Sequence, residues 1–104
     1  MARPPELSPE QRAQALETAA AARRARAEVK ELLKSGSMNL EELLVRAETD
    51  ETLAGMKVRA VLASLPGLGK VKSHRLMEEL GISENRRVRG LGSKQREALL
   101  TALS

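Results

Sequence analysis

The sequence predicts an all-α fold in which a long N-terminal helix leads into a compact multi-helix bundle. Three observations predict it. No stretch alternates apolar and polar residues as a half-buried strand would. Apolar residues recur at helical spacings, as in Val58, Val61, Leu62 and Leu65. Each such stretch is bounded by the Ser, Asn, Asp, Gly and Pro residues that start and stop helices.

Taken in order, residues 1–7, with Pro4 and Pro5, read as a flexible leader. Ser8-Pro9-Glu10-Gln11 offers a capping box, in which the Ser8 hydroxyl accepts from the Gln11 amide, Gln11 reaches back, and Pro9 fits the first turn. The long protruding helix, 8–35, then runs through residues rich in Ala, Glu, Arg, Lys and Leu until Ser35-Gly36 stops it. At 1.5 Å per residue its length is roughly 39 Å. Arg12, Arg23, Arg26, Lys30 and Lys34 fall on one stripe, opposite an apolar arc of Ala15, Ala22, Ala25, Val29, Leu32 and Leu33. Only the C-terminal end of that arc carries large side chains, so the helix is expected to dock there and to project its alanine-rich half. The stripe is either a ligand surface or a solvated face.

Residues 38–104 are expected to form the helical bundle. Asn39 caps a short helix through Leu43, Leu44 and Ala47, and Asp50 caps a single turn near Thr52 and Leu53. A helix over 56–65 buries the Val58 face and breaks at Leu65-Pro66-Gly67-Leu68-Gly69-Lys70. Helical composition returns over 71–80, with Leu76, Met77 and Leu80 as core and Gly81 as the stop. Ser83 is expected to cap one turn over 84–87. After the basic segment Arg86-Arg87-Val88-Arg89-Gly90-Leu91-Gly92, Ser93 is expected to cap a last helix through Ala98, Leu99, Leu100 and Leu103.

The totals bound the chemistry. A chain of 104 residues, 41 % of them apolar, supports one modest core. There is no Phe, Trp or Tyr, so no ring is available for unpaired bases to stack on. There is no Cys and only one His, His74, which argues against disulfides, thiol catalysis, Fe–S clusters and a zinc site, and no metal or cofactor is expected. No apolar run is long enough to span a membrane, and the start MARPPELSPE lacks the apolar middle of a secretory signal, so a cytoplasmic location is expected. Without an apolar seam the protein is expected to be a monomer. The net charge of +4 is divided unevenly, with 8 Lys and Arg against 10 Asp and Glu in residues 1–52, and 10 against 4 in residues 53–104. A basic half beside an acidic one points to a surface that faces a polyanion.

The glycine break supplies such a surface. Gly67 and Gly69 permit positive φ and close approach of a ligand backbone, and the helix that starts at about Lys70 presents amides with no intrahelical acceptor, placed to hold a phosphate. Lys70 and Lys72 add full charges at the helix end where cations are unfavourable by about a few tenths of a kcal/mol, which an anion there would offset. The alternative is an ordinary glycine-rich turn with solvated lysines. The spacing of a nucleotide-binding P-loop is missing, so ATP is not expected.

The pattern Leu65-Pro66-Gly67-Leu68-Gly69, followed by Ser73, resembles the helix-hairpin-helix motif, which binds DNA phosphates without regard to sequence. Ser73 stands where that motif more often has Ala. The segment RRVRGLGSKQR adds Arg86, Arg87, Arg89, Lys94 and Arg96, with Gly90 and Gly92 ahead of Ser93 at the next helix start. Arginine can grip phosphate bidentately or enter a narrow minor groove. Ion pairs with Glu78, Glu79 and Glu84 are the alternative use of these arginines. Hairpin and arginine turn together resemble the helix-two-turns-helix module of ribosomal small-subunit protein S-thirteen and of formamidopyrimidine-type DNA glycosylases.

Along nearly the whole chain, LSPEQRAQALETAAAARRARAEVKELLKSG, MKVRAVLASLPGLGKVKSHRLMEELGISENRRVRGLG and KQREALL resemble actinobacterial integration host factor of the Streptomyces type. That resemblance implies a nucleoid-associated protein that binds double-stranded DNA with little sequence preference, alters its topology and assists site-specific recombination, with a recombinase or topoisomerase as a candidate partner. It implies that 38–104 is the DNA-binding domain. Carried onto this chain, the DNA-binding residues would be Pro66, Gly67, Leu68, Gly69, Lys70, Val71, Lys72 and Ser73 in the hairpin, and Arg86, Arg87, Arg89, Gly90, Gly92, Ser93 and Lys94 in the second turn. The stripe Arg12, Arg23, Arg26, Lys30 and Lys34 is a candidate secondary contact.

Three other readings share these residues, one of them a protein-docking module, which would bind DNA no better than its Arg86, Arg87 and Arg89 to Ala triple variant. RNA or ribosome binding would use the same surface. A glycosylase would need a Schiff-base lysine two residues beyond the second glycine, where this chain has Val71, together with a downstream aspartate, and no Asp follows Asp50. An N-terminal proline amine is also missing, since Pro4 stands behind Met1, Ala2 and Arg3. No enzyme activity is expected.

Overall fold

The computed structural model describes residues 7–103, and the expected leader lies, Leu7 apart, outside them. Among the described residues six α-helices follow one another: α1 (Pro9–Ser35), α2 (Leu40–Ala47), α3 (Glu51–Ala54), α4 (Val58–Ser64), α5 (Gly69–Glu79) and α6 (Ser93–Ala102), with a 3-10 turn at Val88–Gly90 ahead of α6. No strand forms among them, and the only ladder pairing is an isolated antiparallel bridge between Lys57 and Arg87.

Local chemistry sets the helix starts. At α1 the Ser8 hydroxyl accepts from the Gln11 amide at 3.1 Å while the Gln11 side chain accepts from the Ser8 amide at 2.9 Å. Asn39 accepts from the Glu42 amide at 2.8 Å to start α2, and Asp50 accepts from the Thr52 and Leu53 amides at 2.9 and 3.3 Å to start α3. At the far end of α1, Gly36 turns left-handed and returns its amide to the Leu33 carbonyl at 3.2 Å.

Burial along α1 is confined to Val29 and Leu33, flanked by half-buried Ala22, Ala25 and Arg26, whereas every residue from Pro9 to Ala19 is exposed. Leu32, placed in the apolar arc by its position, is 37 % exposed and lies at the margin of the contact. The docked end of α1 packs on α3 and α4. The core gathers Leu33, Met38, Leu43, Leu53, Val58, Val61, Leu62, Met77, Ile82 and Leu99 from all the helices, an aliphatic core with methionine filling the gaps rings would otherwise take.

Of the turn and helix starts expected from the hairpin onward, one gives way to a tertiary contact. Ser83 caps a single turn, its hydroxyl accepting from the Asn85 amide at 3.4 Å and its carbonyl from the Arg86 amide at 2.9 Å, and 3-10 geometry follows at Val88–Gly90. Ser93 is the first residue of α6 and not its cap. Gly92 occupies that position, its amide donating to the Gln95 side chain at 3.2 Å, and Gln95 also donates to the Gly81 carbonyl at 3.3 Å, so the start of α6 is tied to the end of α5. The helix expected to start at about Lys70 begins at Gly69.

Candidate nucleic-acid interface

The hairpin between α4 and α5 follows from four residues. Leu65 is held extended (φ −70°, ψ 143°), as a residue before proline must be. Pro66 and Gly67 then fill the central positions of a turn closed by the Leu68 amide on the Leu65 carbonyl at 3.2 Å, with φ of 76° at Gly67. Gly69, at φ 70°, opens α5. A Cβ on Gly67 or Gly69 would meet nothing within 4 Å, so these glycines serve the backbone conformation and leave the space outside it open.

That opening bares the start of an eleven-residue helix with no side-chain cap. Its first amides have no acceptor within the helix and carry the positive end of the dipole. Lys70, Val71 and Lys72 are exposed beside them, Val71 to 71 %. Leu68 is half-buried and packs against the core, anchoring the loop from below. Ser73 is fully buried, and its hydroxyl donates to the Gly69 carbonyl, so this side chain fixes the first turn of α5 and does not face solvent. That bond satisfies the polar group that an alanine there would not bring.

The arginine turn is built differently. The Val58 amide donates to the Arg86 carbonyl and the Val88 amide to the Met56 carbonyl, both at 2.9 Å, which sets the turn against the first residues of α4. Arg86 curls over Gly90, donating to its carbonyl at 2.9 Å, and a Cβ on Gly90 would lie 3.1 Å from the Arg86 side chain. Arg87 donates to the Gly55 carbonyl. Each guanidinium carries five N–H donors, so both arginines lock the turn and keep donors to spare. Arg89 is exposed and, with Glu48, Asp50, Glu51 and Arg96, lines a cavity of about 580 Å³ between α2, α3 and the 3-10 turn. Arg96 pairs with Glu48 at 3.3 Å. Gly92, Ser93 and Lys94 are exposed at the start of α6.

Hairpin and arginine turn are not adjacent. They lie at opposite ends of the packed α4–α5 pair, separated by about the length of seven-residue α4, on the order of 10 Å. The stripe on α1 is exposed at Arg12, Arg23, Lys30 and Lys34 and half-buried at Arg26. Arg59 went unnoticed in the sequence although the inward spacing of Val58, Val61 and Leu62 turns it outward. It is exposed on α4 and shares a groove of about 440 Å³ with Lys70, Ser73, His74, Met77 and Glu84.

Known proteins share this fold and much of this sequence. The profile of the S13-like H2TH domain matches residues 33–103. The integration host factor of Mycolicibacterium smegmatis is 60 % identical over 92 % of this chain and 91 % of its own length, and that of Mycobacterium tuberculosis 59 % identical over the same shares. The integration host factor of Streptomyces coelicolor is 59 % identical over 91 % of this chain and 88 % of its own. A solved structure described as sIHF bound to an 8bp palindromic DNA superposes with a TM-score of 0.82 at 51 % identity, covering 85 % of this chain and 99 % of that one. With the S13-like domain spanning most of its length and relatives this similar end to end, the chain belongs to the integration host factor family typified by these mycobacterial and Streptomyces proteins.

Proposed function

We propose that this protein is a nucleoid-associated factor that grips duplex DNA by its phosphates, with little regard to sequence, and alters the path of the duplex so as to assist site-specific recombination. The observation that carries the reading is the uncapped start of α5, open to solvent behind Gly67 and Gly69 and flanked by Lys70 and Lys72, in a chain that superposes on a protein solved with DNA.

In this reading the amides of Gly67, Gly69, Lys70 and Val71 and the two lysines hold one phosphate run, and Arg86, Arg87, Arg89 and Lys94 hold a second. A separation on the order of 10 Å is comparable to groove widths of about 6 Å and 12 Å, so the anchors can bridge backbones across one groove. The Val58–Arg86 and Val88–Met56 hydrogen bonds set the arginine turn against the start of α4, and the hairpin follows the other end of the same helix, so the two anchors meet the DNA from one scaffold. The exposed cations of α1 supply a further contact. Base edges need not be read, and phosphate contacts carry no sequence information directly. A recombinase or topoisomerase would act on the altered duplex within the nucleoid.

A salt series tests the reading. With about four to six phosphates neutralised, log K should fall against log salt with a slope of about −4 to −5. A flat response would remove phosphate anchoring. Competition between a duplex and a structured RNA at matched salt should favour the duplex. No catalytic role is proposed, and borohydride with an abasic duplex should trap no adduct.

A further inference from the structure

His74 is the only imidazole in the chain, and both of its nitrogens meet carboxylates. Nε2 lies 2.8 Å from Glu78, one turn further along α5, and Nδ1 lies 2.7 Å from Glu84, in the loop after that helix. A neutral imidazole has one N–H to give, and two carboxylates ask for two. The arrangement is therefore fully satisfied only by the imidazolium. Loss of the proton leaves a ring lone pair facing a carboxylate oxygen, and one of the two contacts must open.

The two contacts differ in consequence. Glu78 is carried by the same helix as His74, so their contact joins nothing that α5 does not already join. Glu84 belongs to the segment that delivers Arg86 and Arg87, two and three residues on, and His74 lies one helical turn from Lys70 in the first turn of α5. The His74–Glu84 pair thus links the hairpin helix directly to the approach of the arginine turn. Arg59 from α4 and Lys70 from α5 line the same groove and oppose a positive ring, whereas Glu78 and Glu84 favour it.

Building on the DNA-binding reading, we propose that His74 is a positioning residue, a proton-dependent latch that fixes the arginine turn relative to the glycine hairpin and so sets the spacing of the two phosphate anchors. Imidazole changes charge between about pH 5 and 8. Protonation closes the latch, and the anchors are then preorganised for the duplex.

The test is anisotropy of a labelled mixed-sequence duplex at fixed salt, at about pH 6 and about pH 8, with the wild type, His74→Gln and Glu84→Ala. The wild type should bind about threefold to fivefold more tightly at the lower pH, an effect sized for exposed pairs. Both variants should lose that step. Glu84→Ala decides between latch and simple charge, because it keeps the titrating ring: if it retains the wild-type step, added charge alone explains the effect and the latch is refuted, as it is by a flat wild type. In the DNA-free protein, the amide resonances of Asn85, Arg86 and Arg87 should titrate together with the His74 ring and stop doing so in Glu84→Ala. If they hold still while the ring titrates, the latch fails whatever the protein does with DNA. If they move but no duplex binds at either pH, the latch stands and the DNA-binding reading falls.

Discussion

The Val58 amide donates to the Arg86 carbonyl at 2.9 Å, so the helix leading into the glycine hairpin takes its N-terminal cap from the segment that carries the arginines. One of the orphan donors of α4 is thereby satisfied across nearly thirty residues of chain, where most helices use a neighbouring side chain. The same bond holds the arginine turn to the start of the helix whose other end runs into the hairpin.

Gly69→Ala isolates the conformational role of the hairpin. The backbone there is at φ 70° and a Cβ meets no obstacle, so the cost is purely that of the left-handed conformation, about 1–2 kcal/mol. Urea denaturation should show that loss, and gel shift should show weaker DNA binding beyond what unfolding explains.

Lys70→Ala with Lys72→Ala should leave the fold intact, since both side chains are exposed and at a helix start where positive charge is unfavourable. Affinity should fall uniformly across duplex sequences, and the salt slope should become shallower by about 2, one for each lysine removed from a phosphate.

Arg87→Ala and Arg89→Ala separate holding from gripping. Arg87 spends a donor on the Gly55 carbonyl, so its removal should lower stability by about 1 kcal/mol as well as weakening DNA binding. Arg89 is exposed, and its removal should weaken binding while leaving stability within about 0.5 kcal/mol. Thermal melts beside gel shifts distinguish the two.

Leu33→Ala should cost about 2–5 kcal/mol, because this side chain is fully buried where α1 meets the bundle. Limited proteolysis should then cut α1 near Arg23, Arg24 and Arg26 sooner than in the wild type. Leu16→Ala, on the exposed half, should change stability by no more than about 0.5 kcal/mol.

What the sequence disclosed divides by the range of the interaction. Ser8 with Gln11, Asn39 with Glu42 and Asp50 with Thr52 are pairs two or three residues apart, and such caps can be read from the chain itself. The hairpin was legible for the same reason, since proline and glycine fix its backbone locally. The arginine turn was only half legible. Its charges stood out, but the bond from Arg87 to Gly55 spans 32 residues, and no local pattern announces that two of three arginines fold back onto carbonyls. Ser93 carries the residue type of a cap without its role, because Gly92 takes the position through Gln95, which also reaches the Gly81 carbonyl. His74 offered no sequence signal beyond its solitude, as its second partner arrives through the fold.

The outer half of α1 leaves a thermodynamic signature. Eleven residues, Pro9 to Ala19, touch solvent on all sides and are kept coiled by local propensity and the Ser8–Gln11 cap alone. A helix held in that way frays by degrees, without an all-or-none step. Heating the free protein should therefore produce a steady decline in far-ultraviolet ellipticity well before the bundle melts, and a duplex seated against the cations of that overhang should flatten the decline.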